Sequence, residues 1–594
     1  MTGPLRVGNC SGFYGDRLAA MREMLDGGEL DVLTGDYLAE LTMLILGRDR
    51  AADPATGYAR TFLAQLRDCL QLALDRGVQI VANAGGVNTP GLVSAIQELG
   101  LPAKVAFVRG DDLTPRAAAL GLGTPLGAHA YLGAFGIGRA LAAGADVVVT
   151  GRVTDASLVI GAGIARFGWT PADLDALAGA TVAGHVLECG TQATGGNFPF
   201  FSEVADLTRP GFPIAELSAD GSSIITKHAG TGGTVTVDTV LAQLMYEVGD
   251  ARYAGPDVTT RLDTVRLSPA GPDRVAITGV RGEPPPPDLK VSLTSIGGYR
   301  NELTVVLTGL DVEAKAELFR RQFTAALPIE PAELTWTLAR VDRPDAPTQQ
   351  QASALLTVVG RDPDEKRVGR AFSNAAVEVA LGSYPGFFAT APPGRATPYG
   401  VYAAGFVRQT VPGHEVVLPD GTVERIAPAP VTEPLESLTG PEPAADPGPM
   451  PEPGADLARR AEPDVGLARR AEPGAAGPAG EVRRLPLGTL AGARSGDKGG
   501  DANIGLWVRD DAAYPWLVHV INENSIRRLL PETAGRPVRI TRLPNLRAVN
   551  VVIEGLLGRG VADQARFDPQ AKGLAEWLRS RLVDIPAELM EETR

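Results

Sequence analysis

Twelve residues near the C-terminal end, Arg494-Ser-Gly-Asp-Lys-Gly-Gly-Asp-Ala-Asn-Ile-Gly505, combine four glycines with two carboxylates, a lysine, a serine and an amide. Glycine is used where the backbone needs positive φ or close approach to another group, and here donors and charges alternate with it. The segment reads as a polar glycine loop emptying into a strand over 504–508, with Ser495, Asp497, Lys498, Asp501 and Asn503 as candidate ligand contacts. The alternative is a tight turn in which the aspartates bond their own backbone. Asp497 and Asp501 could also share a magnesium ion with a substrate phosphate, although no EF-hand pattern is present.

Five further segments offer chemistry. Glu188-Cys-Gly-Thr-Gln-Ala-Thr-Gly-Gly-Asn197 supplies a carboxylate, a thiol, hydroxyls and amides. Glu188 could act as general base or acid if burial raises its pKa toward neutrality. Cys189 could be a nucleophile only beside a cation; otherwise it is a small buried side chain. Gln192, Thr194 and Asn197 are candidate ligand contacts or parts of a structural turn. In Lys227-His-Ala-Gly-Thr-Gly-Gly233, Lys227, Thr231 and Gly232 could hold a phosphate or carboxylate, or form a hairpin turn into an alternating strand over 234–238. The P-loop order is absent. Gln243, Tyr246 and Glu247 follow on a helical stretch and read as core and surface positions.

Arg152 can clamp a carboxylate or phosphate. Asp155 could be catalytic or could cap the helix after it; Asp36 carries the same two readings, with Glu40 one helical turn later. Asn83-Ala-Gly-Gly-Val-Asn88, with Gly85, Gly86 and Asn88, makes a polar turn that lacks the full dinucleotide-loop spacing. The five histidines never take a zinc-ligand spacing, and no G-x-S-x-G elbow is present.

Strand–helix alternation positions these residues. Short apolar runs at 5–8, 31–35, 78–83, 104–108 and 146–150 alternate with helical stretches, which predicts a mainly parallel, doubly wound sheet. Sites in such sheets lie at the carboxyl ends of the strands. The turns at Asp36, Asn83 and Arg152 all follow strands and so should share one rim. From about 200 to 427 short strands (235–240, 275–280, 289–295, 303–308, 334–341) suggest an α+β elaboration. Residues 428–482 form a Pro/Ala/Glu-rich linker with a tandem Leu-Ala-Arg-Arg-Ala-Glu-Pro repeat. Residues 483–594 read as a compact α+β sandwich with strands at 484–490, 503–509, 538–542 and 550–555.

The C-terminal motif resembles the signature of the acyclic terpene utilisation AtuA-like family. The segments Arg6-Val-Gly-Asn-Cys-Ser-Gly-Phe-Tyr-Gly15, Gly35-Asp-Tyr-Leu-Ala-Glu40, Asn83–Asn88, Gly151-Arg-Val-Thr-Asp155 and Glu188–Asn197 are similar to that family's pattern as well. The resemblance spans both ends of the chain. It implies a ferredoxin-like fold for the C-terminal unit and catabolism of branched or terpenoid acids as CoA thioesters.

The 594 residues are too many for one core. A net charge of -14 disfavours nucleic acid and anionic membranes as partners but leaves room for a small anionic substrate in a local Arg/Lys pocket. Three scattered cysteines argue against a disulfide framework, and the absence of a signal-like segment or a long apolar run points to the cytoplasm. The reading that follows is a homo-oligomeric hydratase or lyase on an acyl-CoA, with no resident cofactor firmly indicated beyond the CoA of the substrate. Glu188 or Asp155 would move the proton, Asn83, Asn197 and glycine-loop N–H groups would polarise the thioester, and Arg152 and Lys498 would hold the anionic end. The rivals are a metabolite-binding subunit that docks an enzyme such as an acyl-CoA carboxylase, and a nucleotide-dependent ligase or kinase.

Overall fold

The computed structural model describes residues 3–435, 482–563 and 565–591; the linker repeat lies outside them. Five strands, Leu5–Asn9, Val32–Gly35, Gln79–Ala82, Val147–Thr150 and Val105–Arg109, lie side by side in that order, all parallel. Their central residues are mostly apolar because both faces are covered. Leu33, Ile80, Val147 and Val149 pack on one side with helices Ala20–Gly27, Arg60–Arg76 and Thr89–Gln97. Val32, Val81 and Val148 pack on the other with Phe135–Ala142, Ser157–Phe167 and Leu174–Glu188.

The whole sheet is mixed, not mainly parallel as the alternation predicts. Antiparallel strands extend it at both edges to eleven: Pro213–Leu217, Ser223–Lys227, Arg274–Thr278 and Arg266–Gly271 on one side, Glu415–Val417 and Val423–Arg425 on the other. Antiparallel neighbours need only short turns, whereas each parallel one needs a crossover helix. The helical periodicity of the first half therefore exposed the parallel centre alone.

A second sheet is built on Asp288–Thr308, one 21-residue strand that runs through both of the strands expected at 289–295 and 303–308. Ser353–Asp362 and Thr397–Arg408 pair with it, and so does Gly127–Ala130 from the first half of the chain. The alternation over 235–240 is not a strand. It is the start of helix Val237–Leu244, because Thr236 and Thr239 bond each other's backbone N–H in a reciprocal cap. Among the described residues no helix is long and apolar enough to cross a membrane.

The C-terminal unit has four antiparallel strands in the spatial order Ala491–Lys498, Asp501–Val508, Ala548–Ile553, Val538–Leu543. One face carries its own core, where Ile504, Leu506 and Val551 meet Leu517, Ile526, Leu574 and Leu578 of the helices. The opposite face is buried against the first half, and Trp507 and Ala548 join that larger core.

The glycine-rich motif is thus not an irregular loop. It forms both arms of a β-hairpin, with Arg494 opposite Gly505 and Lys498 opposite Asp501. Its glycines make room for the docking partner: a Cβ on Gly496 would lie 2.3 Å from the Tyr246 ring, and one on Gly505 would lie 2.5 Å from Met245 Cβ. Gly505→Ala should therefore lower folding stability by ~1–3 kcal/mol in denaturant titration. Gly249→Ala, four residues after Met245 and facing open space, should change it by no more than ~0.5 kcal/mol. Equal losses would mean that the close approach is not what the hairpin glycines serve.

Candidate functional site

The turn after helix Val237–Leu244 is where the two halves meet. The Glu247 N–H donates to Asn503 Oδ1 at 2.9 Å, Asn503 Nδ2 donates to Asn550 Oδ1, and Asn550 Nδ2 donates to Val248 O at 3.0 Å. Both asparagines are buried, so each amide must find partners within the protein. The grip holds Glu247 at φ 58°, a left-handed conformation uncommon for a glutamate. Arg494 adds a second clasp. It donates to Gln192 Oε1 and to Asn197 O (2.7 Å), with its guanidinium 4.9 Å from the Tyr246 ring centre.

This docking delivers the hairpin tip to the carboxyl rim of the parallel strands, where charged and phenolic groups converge. Arg152 donates to Asp155 (2.8 Å) and to Leu38 O (3.0 Å) and stacks on Tyr131 at 4.3 Å; its Nε has no hydrogen-bond partner among the described residues. Glu188 Oε1 lies 2.8 Å from His185 Nδ1 one helical turn earlier, while the buried Oε2 has no hydrogen-bond partner among the described residues. His185 Nε2 faces Leu244 O at 3.3 Å, so both ring nitrogens meet acceptors. Lys290 lies over the rings of Tyr131 and Tyr402 and 4.0 Å from Glu40. Lys498 lies 5.4 Å from the centre of the Tyr253 ring.

The electrostatics follow from crowding charge in a poorly hydrated space. Burial pushes Asp155 up to about 7; Arg152 opposes this, and Glu188, Glu40 and Glu247 add to it. Burial pushes Asp36 well up too, with Asp155 adding. Asp497 is raised to about 6 by burial and Glu247, against Lys572. For His185 burial disfavours the charged ring, but the Glu188 carboxylate outweighs it and the pKa rises. Burial likewise opposes ionisation of Glu40, yet Lys290 and Arg152 pull its pKa down. Lys498 is lowered by burial and then by Lys290.

A partly open cleft with a cavity volume of about 60 Å³ borders this cluster at Glu40, Tyr402 and Asp497. All three regions of the chain line it. Leu41 and Leu44 come from the N-terminal half, Val401 and Tyr402 from the second sheet, and Asp497, Gly499, Arg559 and Val561 from the C-terminal unit; Glu40 lies in its wall.

Of the residues singled out from the sequence, Asp36, Arg152, Asp155, Glu188, Asp497 and Lys498 are brought together here. The others are held by the protein itself. Asn83 donates to Asp36 and accepts from the Tyr37 N–H, so it positions a carboxyl group. A Cβ on Gly85 or Gly86 would lie 2.4 Å from Thr89 Oγ1 or Leu46 Cδ1, respectively. Asn88 caps helix Thr89–Gln97. Thr194 bonds Thr191 O and Gly211 O, while Gln192 and Asn197 serve the Arg494 clasp.

Lys227 pairs with Asp273 at 3.2 Å and donates to Thr231 O, Thr231 Oγ1 bonds His228 O, and Gly232 O accepts from the Gly211 N–H. Ser495 bonds Ala571 O and accepts from the Ala575 N–H. Asp501 accepts from the Gly555 N–H and Asn503 grips Glu247. Burial and the neighbouring Glu188 push the Cys189 thiol well up, which keeps it protonated. Among the described residues no group of three or more His, Cys, Asp or Glu could hold a metal ion.

Sequence reasoning missed Tyr131, His185, Tyr253, Lys290, Tyr402 and Lys572 as members of the cluster, and read Tyr246 and Glu247 as core and surface. Only His185 carried a local signal, its i,i+3 spacing to Glu188 at a helix end.

A family model described as acyclic terpene utilisation family protein AtuA matches residues 5–418, and one described as AtuA ferredoxin-like domain matches residues 485–584. No curated protein and no solved structure matches the chain.

Asp155 offers a test of the cluster's charge balance. It holds its proton more tightly folded than at the ordinary 3.8, so its contribution to stability is fully present below 3.8 and is lost as pH rises through about 7. Asp155→Asn, which stays neutral, should gain melting temperature relative to the parent chain as pH is raised from about 5.5 to about 8. A difference that is flat across that window would contradict the crowding.

Proposed function

We propose, for a chain that belongs to the acyclic terpene utilisation AtuA family, that the cleft takes a branched or isoprenoid-derived acid as its CoA thioester and adds or eliminates water next to the carbonyl. The observation that carries this reading is Glu188: its carboxylate is fixed through Oε1 by His185 while Oε2 is buried and unpartnered beside the cluster. A buried oxygen without a partner is costly, and a substrate C–H proton would supply one.

In the elimination direction Glu188 Oε2 takes the proton from the carbon next to the thioester carbonyl. Asp155, whose pKa near 7 leaves a large protonated fraction at neutral pH, gives its proton to the departing hydroxyl, which leaves as water while the C=C bond forms. Arg152, Lys290 and Lys498 balance the negative charge that grows on the carbonyl oxygen. The apolar wall of Leu41, Leu44, Val401 and Val561 suits a hydrocarbon chain.

The test is a melting-temperature panel of straight and branched acyl-CoAs, free acids and nucleotides, followed by turnover of whichever thioester stabilises the chain. Glu188→Gln should keep the fold and binding but lower kcat by ~10²–10⁴-fold. Stabilisation by Mg-ATP and not by acyl-CoA would overturn the reading. Acyl-CoA binding without turnover would favour a subunit that docks a carboxylase or another acyl-CoA enzyme.

A further inference from the structure

The size of the cleft is set where one helix meets one strand. Helix Glu40–Ala52 turns Leu41 and Leu44, neighbours on one face, toward the cleft. Leu41 is 45% exposed and stands at the mouth. Leu44 is half-buried and lies directly on the backbone of Gly400, in strand Thr397–Arg408. A Cβ on Gly400 would come 1.9 Å from Leu44 Cδ2 and 3.1 Å from its Cγ, so only glycine leaves that seat free. Met43 and Leu46 pin another face of the helix, packing with Leu38 in a small core of their own. That core resists any roll of the helix that would give Leu44 a different seat. Val401 and Val561 continue the apolar wall, one from the strand and one from the C-terminal unit.

The cavity volume is about 60 Å³. An apolar cavity of ~150 Å³ holds the six carbons of benzene. By that measure this one holds about two or three carbons, the size of an isopropyl group. Glu40, Tyr402 and Asp497 line the same small space, so the polar end of a ligand seated there must begin close to its branch. Each carbon buried against the wall strengthens binding by about fourfold, whereas a carbon left in the open mouth adds little.

We infer that Leu44, seated on Gly400, determines the specificity of the cleft, which selects a short acyl group of about four or five carbons ending in an isopropyl branch. The inference rests on the proposed reading for the acyl head group and on the cavity alone for the tail. A longer isoprenoid chain would leave its further carbons in solvent and gain nothing from them.

The experiment measures dissociation constants of the full chain by titration calorimetry for a ladder of iso-branched CoA thioesters: isobutyryl, isovaleryl, isocaproyl and isononanoyl. Affinity should rise ~4-fold from isobutyryl to isovaleryl and then stay within ~2-fold. Leu44→Ala enlarges the cavity, so the rise should continue to isocaproyl. Val377→Ala, on an exposed position of helix Arg370–Glu378, should leave the ladder unchanged. Gly400→Ala unseats Leu44 and should weaken isovaleryl-CoA by ~10-fold, and adding Leu44→Ala should restore most of that loss. The Leu44→Ala ladder decides the point should Gly400→Ala fail to fold. Affinity that keeps climbing to isononanoyl in the parent chain, or a ladder that Leu44→Ala does not move, would overturn the inference and leave the thioester reading standing. The same ladder of free acids separates the two: acids that obey the length rule where thioesters do not bind would overturn the thioester reading and uphold the inference. A length rule absent with both head groups would overturn the inference.

Discussion

The candidate site depends on two buried asparagines. Asn503 and Asn550 sit side by side on the C-terminal sheet and together engage the N–H of Glu247 and the carbonyl of Val248. Because both amides are shut away from water, leaving either unpaired would cost about 1–3 kcal/mol. The grip therefore fixes the register between the halves of the chain to within a hydrogen-bond length. It also holds Glu247 in a backbone conformation that glutamate rarely adopts, a strain the surrounding contacts must offset. From that register follow the seat of Tyr246 over Gly496, the Arg494 clasp, and the arrival of Lys498 among groups from the N-terminal rim.

The consequence is a cluster in which no one region supplies a complete set of charges. The rim contributes Asp36, Arg152 and Asp155, the helix end contributes His185 and Glu188, the second sheet contributes Lys290 and Tyr402, and the hairpin contributes Asp497 and Lys498. Each carboxylate alters its neighbours' protonation, so Asp155 and Asp497 titrate near neutrality while Glu40 stays ionised beside Lys290. Proton transfer near pH 7 is what such an arrangement suits, and it exists only when the C-terminal unit is docked.

The parallel centre was legible because its physics is local. Each strand is a short apolar run ending in a polar turn, and the helices between carry a clear periodicity, so Asp36 and Arg152 could be placed on one rim. The antiparallel edges were not legible, since hairpin strands such as Pro213–Leu217 need no neighbouring helix to announce them. The glycines of the C-terminal motif were correctly taken as marks of close approach. What approaches Gly496 and Gly505, however, is Tyr246 and Met245 of the same chain, and sequence alone cannot separate a protein partner from a ligand. Asn88 and Lys227 failed for a related reason: a cap and an ion pair with Asp273 use the same residue types as a ligand site. Lys290 was hidden in the middle of a strand, where only the fold reveals what its side chain meets.

The most direct measurement is a crystal structure of the full chain with a branched acyl-CoA bound. The account predicts the thioester carbonyl among Glu188, Lys290 and Lys498, with the hydrocarbon chain along Leu41, Leu44 and Val401, so that all three regions touch one ligand. A ligand held by one region alone, or outside the cleft with the Lys498 ammonium still unpaired, would contradict it.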